Sequence, residues 1–190
     1  MIKDLFKTPL YVTALSLDNT AISKYCLSYS KKNKGRTLSN EGGWQSNDLQ
    51  LDKHPSLKDL FVSIQEHCSI YTKQIDINAS NTIDNIWVNI NGYKDMNMIH
   101  THPNTMVSGV YYVQTPKDCG NIHFRHPAFD QLIYDWSPEK VNNFNEYNSI
   151  EWWMPSKESV LYLFPSWLQH YVKPNLNKKE KRISISFNLL

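Results

Sequence analysis

With 190 residues, 41% of them hydrophobic and 20% charged, the chain is long enough for one full core, and its composition excludes a disordered or fibrous protein. A net charge of +2, from 20 Lys and Arg against 18 Asp and Glu, excludes the basic field that nucleic acid requires, and the clusters at 31–34 and 178–182 read as solvated loops. There is no apolar run of about 18 residues and no signal-type h-region, and Cys26, Cys68 and Cys119 are too few and too scattered for a disulfide framework, so a reducing, cytoplasmic setting without membrane contact is expected.

In chain order, the apolar run Leu10-Tyr11-Val12 after Pro9 predicts an edge strand. Asp18 or Asn19 caps a helix over about 20–33, with Ile22, Cys26 and Tyr29 as its apolar stripe and Gly35 as its C′ residue. Residues 36–52 are polar and turn-rich, show no period, and carry Gly42-Gly43-Trp44-Gln45-Ser46 in their middle. They read as a long loop, either functional or pinned to the surface by Trp44. Ser56 and Asp59, behind Pro55, form a capping box with Asp where Glu is usual. The amphipathic helix it opens repeats Leu57, Leu60, Phe61, Ile64, Cys68, Tyr71 and Ile75 at three and four residues. His54 and His67 read as structural.

From Ile83 onward the helical period is lost. Short β-rich segments at 86–90, 98–102, 106–114, 121–124, 150–154, 159–164, 169–173 and 183–189 alternate with turns, the pattern of a sandwich or barrel. Residues 127–147 have no clear pattern and form a long insert. The expected architecture is a single domain over 1–190, mainly β, with two N-terminal helices within about 1–80 packed on a double-sheet body over about 83–190.

The chemistry gathers in this second part. His100 and His102 stand at i and i+2 on a predicted strand, so both imidazoles leave the same face, and Pro103, which has no N–H for a ladder, ends that strand. His170 follows Pro165-Ser166-Trp167 some seventy residues later, a separation that a jelly roll can close. Three neutral imidazoles suit iron, zinc, copper or nickel and leave open coordination positions. On the last strand Arg182, Ser184, Ser186 and Asn188 alternate with Ile183, Ile185, Phe187 and Leu189. The apolar face meets the core and the polar face lines the barrel interior. An arginine there needs an anion, no acid in the sequence is its evident mate, and a ligand carboxylate held with Ser184 alongside satisfies it.

Trp87-x-Asn89, His100-x-His102-Pro103-Asn104, Ser108-Gly109-Val110-Tyr111-Tyr112-Val113, Gly120-x-x-His123-Phe124, Leu163-Phe164-Pro165-Ser166-Trp167, His170 and the 182–188 strand occur in one order. Together with Gly43-Trp44-Gln45-Ser46, they resemble the 2-oxoglutarate/Fe(II) oxygenase family related to the prolyl hydroxylases. The resemblance implies a double-stranded β-helix (jelly roll, cupin-like) and a dioxygenase that oxidises a substrate C–H bond while converting 2-oxoglutarate to succinate and CO₂. It implies His100 and His170 as Fe(II) ligands and Arg182 as the partner of the far 2-oxoglutarate carboxylate. It also implies that Tyr112 supports that carboxylate and that Ser184 and Asn89 face the same cavity. The wider superfamily has Asp or Glu where this chain has His102. The site then has either three histidines, which the shared strand face favours, or two with His102 turned away.

The substrate, a small molecule or a peptide, stays unnamed, and the partners expected beyond it are at most a second copy of the chain in a homodimer. Trp44, Trp136, Trp152 and Trp153 are candidates for its cleft or for the core. The alternative reading is a cupin-type three-histidine metalloprotein, a thiol dioxygenase or isomerase that does not use 2-oxoglutarate. No Glu follows His-x-His before Lys117, which counts against it. A third reading is a β-helix binding module without catalysis, against which the polar set on the last strand argues.

Overall fold

The computed structural model describes residues 1–80 and 82–190. Among these residues, eleven strands form two antiparallel sheets. The larger is ordered β1 (Tyr11–Ala14), β9 (Val160–Pro165), β6 (Val107–Gln114), β11 (Arg182–Leu189), β4 (Ile83–Asn91) and β3 (Trp44–Gln45). The smaller is ordered β2 (Asn40–Glu41), β5 (Met96–His100), β10 (His170–Val172), β7 (Ile122–Arg125) and β8 (Glu151–Met154). From β4 on, the chain changes sheet at nearly every connection, which winds it into a double-stranded β-helix.

The central strands of the larger sheet are buried on both faces, so they read as near-continuous apolar runs. Residue parity separates two cores. Ile86, Val88 and Ile90 of β4, Tyr111 and Val113 of β6, Leu161 and Leu163 of β9, and Ile183, Ile185, Phe187 and Leu189 of β11 pack with the helices. Val110, Tyr112, Tyr162 and Phe164 face the other way and pack with Ile122 and Phe124 of β7 between the sheets. On β11 that inner face is polar, as the alternation on the last strand requires, and on β4 it is Asn85, Trp87, Asn89 and Asn91. Gly109 of β6 lies under the helix-side core: a Cβ there would come within 2.8 Å of the Phe187 ring and of Leu163.

The helices cover the outer face. α1 (Asn19–Lys32) is capped by Asp18, whose Oδ1 accepts from the Ala21 N–H at 3.0 Å. It does not end on Gly35. Asn33 is already extended at φ −130°, and Gly35, at φ +73°, instead lets the chain pass close to Trp44 and the Gln45 carbonyl. α2 (Lys58–Gln74) buries the expected stripe of Leu60, Phe61, Ile64, Cys68 and Tyr71. Its capping box does not form. Pro55 starts a 3₁₀ turn over Pro55–Leu57, so the helix begins behind buried Leu57, with no side-chain cap.

The stretch 36–52 is more than a loop: it contributes an edge strand to each sheet, and Trp44 is pinned by its Nε1–H to the Asn33 carbonyl at 2.9 Å. The insert between β7 and β8 carries one short helix, α3 (Phe129–Asp135). Among the described residues no helix is long and apolar enough to cross a membrane.

Candidate metal and cosubstrate site

The two sheets bring three histidines together. His170 opens β10 directly across from His100, the last residue of β5. β5 stops two residues earlier than the sequence pattern predicts, so His102 lies beyond the ladder, where its backbone N–H turns to the Ser166 carbonyl at 3.0 Å. Pro103, with no N–H to offer, follows this departure. The shared-face argument therefore does not describe His102, yet its ring still meets the others. Ring centroids are 4.4 Å apart for His100 and His170, 4.9 Å for His100 and His102, and 5.0 Å for His102 and His170. One ring nitrogen from each lies within 4.8 Å of the other two, close enough for a single ion to meet all three.

The hydrogen bonds decide which nitrogens are free. His100 Nδ1 is 2.7 Å from the Met98 carbonyl and His170 Nδ1 is 2.9 Å from the Leu168 carbonyl. A carbonyl only accepts, so each Nδ1 carries the proton and each Nε2 keeps a lone pair. His102 Nε2 is buried with no partner at all. Burial holds all three imidazoles below the ordinary histidine range. His102 falls to about 4, lowered further by His100 and drawn partly back by Asn188. His100 is lowered by burial, and His170 is driven well down by burial and by its two neighbours. The cluster is neutral at pH 7, as metal ligation requires.

A second group lies along the inner face of the larger sheet. Asn89, Ser184 and Tyr112 are cross-strand partners on β4, β11 and β6, and therefore share a face. Arg182, two residues from Ser184, is 1% exposed. Its Nη1 donates to the carbonyls of Cys119 and Lys173, and its Nη2 has no partner. The Tyr112 hydroxyl and Asn89 Oδ1 are also buried and unpaired, while Asn89 Nδ2 donates to Ser186 Oγ at 3.1 Å. Among the described residues the ion pairs are Lys7–Asp4 and Arg36–Asp48, with His123 3.9 Å from Glu151, so Arg182 has no carboxylate of the chain in contact. An unpaired buried cation beside an unpaired hydroxyl fits a ligand carboxylate, and three free imidazole nitrogens fit a transition metal.

Beside these groups lies a narrow cleft whose walls include the three histidines, Asn89, Ser184 and Ser186. Arg182 and Tyr112 lie deeper, next on the same faces after Ser184 and Val110. Trp87, which alternates in phase with Asn89 on β4, also walls the cleft and stacks on His102, a role its spacing alone does not single out. Ser39 and Asn97 join it through the β2–β5 pairing, which two-residue strands hide from periodicity. Trp136, Trp152 and Trp153 are about half exposed, and neither line this cleft nor enter the core.

A family model described as "Putative 2OG-Fe(II) oxygenase" matches residues 85–188. No curated protein matches the chain in sequence. Solved structures similar to it include a prolyl-4-hydroxylase from Pseudomonas putida, 12% identical over 96% of this chain and 92% of that one, with a TM-score of 0.68. A prolyl hydroxylase from Trichoplax adhaerens, in complex with a hypoxia inducible factor peptide fragment, is 16% identical over 95% and 83%, with a TM-score of 0.67. HygX from Streptomyces hygroscopicus, with nickel and 2-oxoglutarate bound, is 9% identical over 96% and 82%, with a TM-score of 0.65. At these identities the likeness is one of fold.

Proposed function

The chain belongs to the 2OG-Fe(II) oxygenase family, and from that premise we propose that His100, His102 and His170 hold the Fe(II) while Arg182 and Tyr112 bind the far carboxylate of 2-oxoglutarate. The enzyme class and its two cofactors follow from family membership, which displaces the cupin-type alternative. The residue assignments rest on one observation above all: three imidazoles with free nitrogens line a cleft, and an arginine without a counter-ion is buried two residues from Ser184 on its wall.

When bound, Fe(II) and 2-oxoglutarate supply dioxygen activation, so that a substrate C–H bond becomes an alcohol as 2-oxoglutarate becomes succinate and CO₂. The chain's own residues prepare for this. The Met98 and Leu168 carbonyls fix the tautomers of His100 and His170 and aim each Nε2 at the cluster. Arg182 and Tyr112 offer N–H and O–H donors to a carboxylate in a site closed to water. Ser184 and Asn89, cross-strand neighbours on the cleft wall, bound the space between. The three-histidine set carries one more positive unit with the metal than two histidines and a carboxylate, which strengthens its hold on anionic ligands. The proposed setting is a single domain over 1–190 in the cytoplasm, alone or as a homodimer, acting on a small molecule or peptide without nucleic acid or membrane.

The test is an anaerobic titration of the Fe(II)-loaded protein with 2-oxoglutarate, followed by the visible charge-transfer band of a keto acid chelated to Fe(II), then by succinate release on admitting air. The band and the succinate are both expected, and both are lost in His170→Ala. A folded protein that binds Fe(II) but gives neither would contradict the assignment.

A further inference from the structure

The three histidines are not held alike. His100 and His170 sit in paired strands, and each donates Nδ1–H to a backbone carbonyl. His102 lies past the end of β5, and among the described residues its ring has no carbonyl anchor of this kind. Its polar neighbour Asn188 draws the His102 pKa partly back up but makes its short hydrogen bonds elsewhere, accepting from Ser108 Oγ at 2.7 Å and donating one amide hydrogen to Asn85 Oδ1 at 2.8 Å. What the His102 ring does have is a flat neighbour. Trp87 lies 5.6 Å away, centroid to centroid, with the ring planes 25° apart.

Trp87 is well placed to orient another ring. It stands on β4, a strand paired along its length, directly across from Ser186 of β11, and it is 8% exposed. The Arg36 guanidinium lies 5.8 Å from the centre of its indole. Arg36 is in turn gripped by both carboxylate oxygens of Asp48, at 2.6 and 3.2 Å. A cation over an indole face and a planar ring stacked on it are both attractive, and both depend on ring orientation.

We propose that Trp87 is the positioning residue of His102. Its indole, steadied by Arg36 and Asp48, holds the imidazole plane so that the free nitrogen stays with those of His100 and His170. Stacking thus does for the histidine outside the ladder what a carbonyl hydrogen bond does for the two inside it. The stretch 36–52 thereby contributes to the site without touching the metal. This inference rests on the reading of His102 as a ligand.

The experiment is an anaerobic Co(II) titration, with affinity and ligand-field spectrum recorded for the parent, Trp87→Leu, Trp87→Phe, His102→Ala and the Trp87→Leu/His102→Ala pair. Trp87→Leu is expected to weaken Co(II) by about 10- to 100-fold, the usual cost of losing a partner that orients a ligand. Trp87→Phe, which keeps a ring face, should recover part of that loss. In the His102→Ala background Trp87→Leu should cost nothing more, because its target is gone. An equal loss in both backgrounds, or none in the parent, would overturn the positioning role while leaving the three-histidine site standing. Parent-like affinity in His102→Ala would instead remove the three-histidine reading and this inference with it. Should Trp87→Leu fail to fold, the Trp87→Phe titration in both backgrounds makes the same comparison. In the metal-free parent, the His102 ring protons should also show upfield ring-current shifts in NMR that Trp87→Leu abolishes; unshifted parent resonances would overturn the stacking itself.

Discussion

The two faces of β11 are both buried, except at half-buried Ser186 on the cleft side, and serve opposite ends. Toward the helices, Ile183, Ile185, Phe187 and Leu189 are all fully buried in the main apolar core. Toward the cleft, Arg182, Ser184 and Asn188 are at most 5% exposed. Burial does not separate the faces; hydrogen bonding does. On the cleft side Arg182 Nη2, the Tyr112 hydroxyl, Asn89 Oδ1 and His102 Nε2 are left without partners. Each such atom costs about 1–3 kcal/mol, so a fold that gathers them on one face has given up stability there for ligands that complete them. The opposite face makes up the difference with apolar burial.

Substitutions can change one face at a time. Phe187→Ala removes a fully buried ring from the helix side and should cost about 3–5 kcal/mol in denaturant unfolding, with Fe(II) binding retained in the folded fraction. A loss under about 1 kcal/mol would mean that this face is not what holds the sheet to the helices. On the other face, Arg182→Met should weaken 2-oxoglutarate binding by about 2–5 kcal/mol, roughly thirty- to several-thousand-fold, while sparing Fe(II). The same substitution should leave the ligand-free protein as stable as before or more so, because it exchanges a desolvated, uncompensated cation for apolar volume. Isothermal titration and chemical unfolding of the one variant measure both; destabilisation together with unchanged cosubstrate affinity would invert the comparison.

Gly109 offers a smaller perturbation of the helix face. Its missing Cβ makes room for Phe187 and Leu163, and Gly109→Ala should cost about 1–3 kcal/mol by overpacking, read as a lowered denaturation midpoint. A neutral result would mean that the Phe187 ring has room to shift.

The smallest effect is that of pH on the metal-free protein. The folded-state pKa of His102 is near 4, against 6.5 for the free side chain, and His100 and His170 are also lowered. Between those two values the unfolded chain holds protons that the folded one does not. Stability is therefore full above about 6.5 and declines as pH falls toward about 4, the direction in which the unfolded state gains protons. Unfolding curves at stepped pH should show this acid limb, and His102→Gln should make it shallower. An identical limb in both proteins would place the buried charge penalty elsewhere.

Much of this layout was legible beforehand because alternation is a strong signal. The eight predicted segments of the second half each correspond to a strand, and the polar phase of 182–188 marked the cleft face. What escaped had physical reasons. Two-residue strands such as Asn40–Glu41 and Trp44–Gln45 are too short to show a period, so the 36–52 stretch looked structureless. Ser56 and Asp59 have the spacing of a capping box, but Pro55 and the burial of Leu57 set the helix start instead. The i, i+2 rule presumes a continuous strand, and β5 ends at His100. The proximity of His102 therefore comes from the turn and from Trp87, and strand geometry does not supply it. No spacing rule connects Arg36 to Trp87, which are 51 residues apart and meet through the Arg36–Gln45 bridge and the β3–β4 pairing.

X-ray absorption at the iron edge of the anaerobic, Fe(II)-loaded protein counts the histidines that hold the Fe(II). The parent should show outer-shell scattering from three imidazole rings and His102→Ala from two. Two rings in the parent, unchanged in His102→Ala, would contradict the three-histidine site.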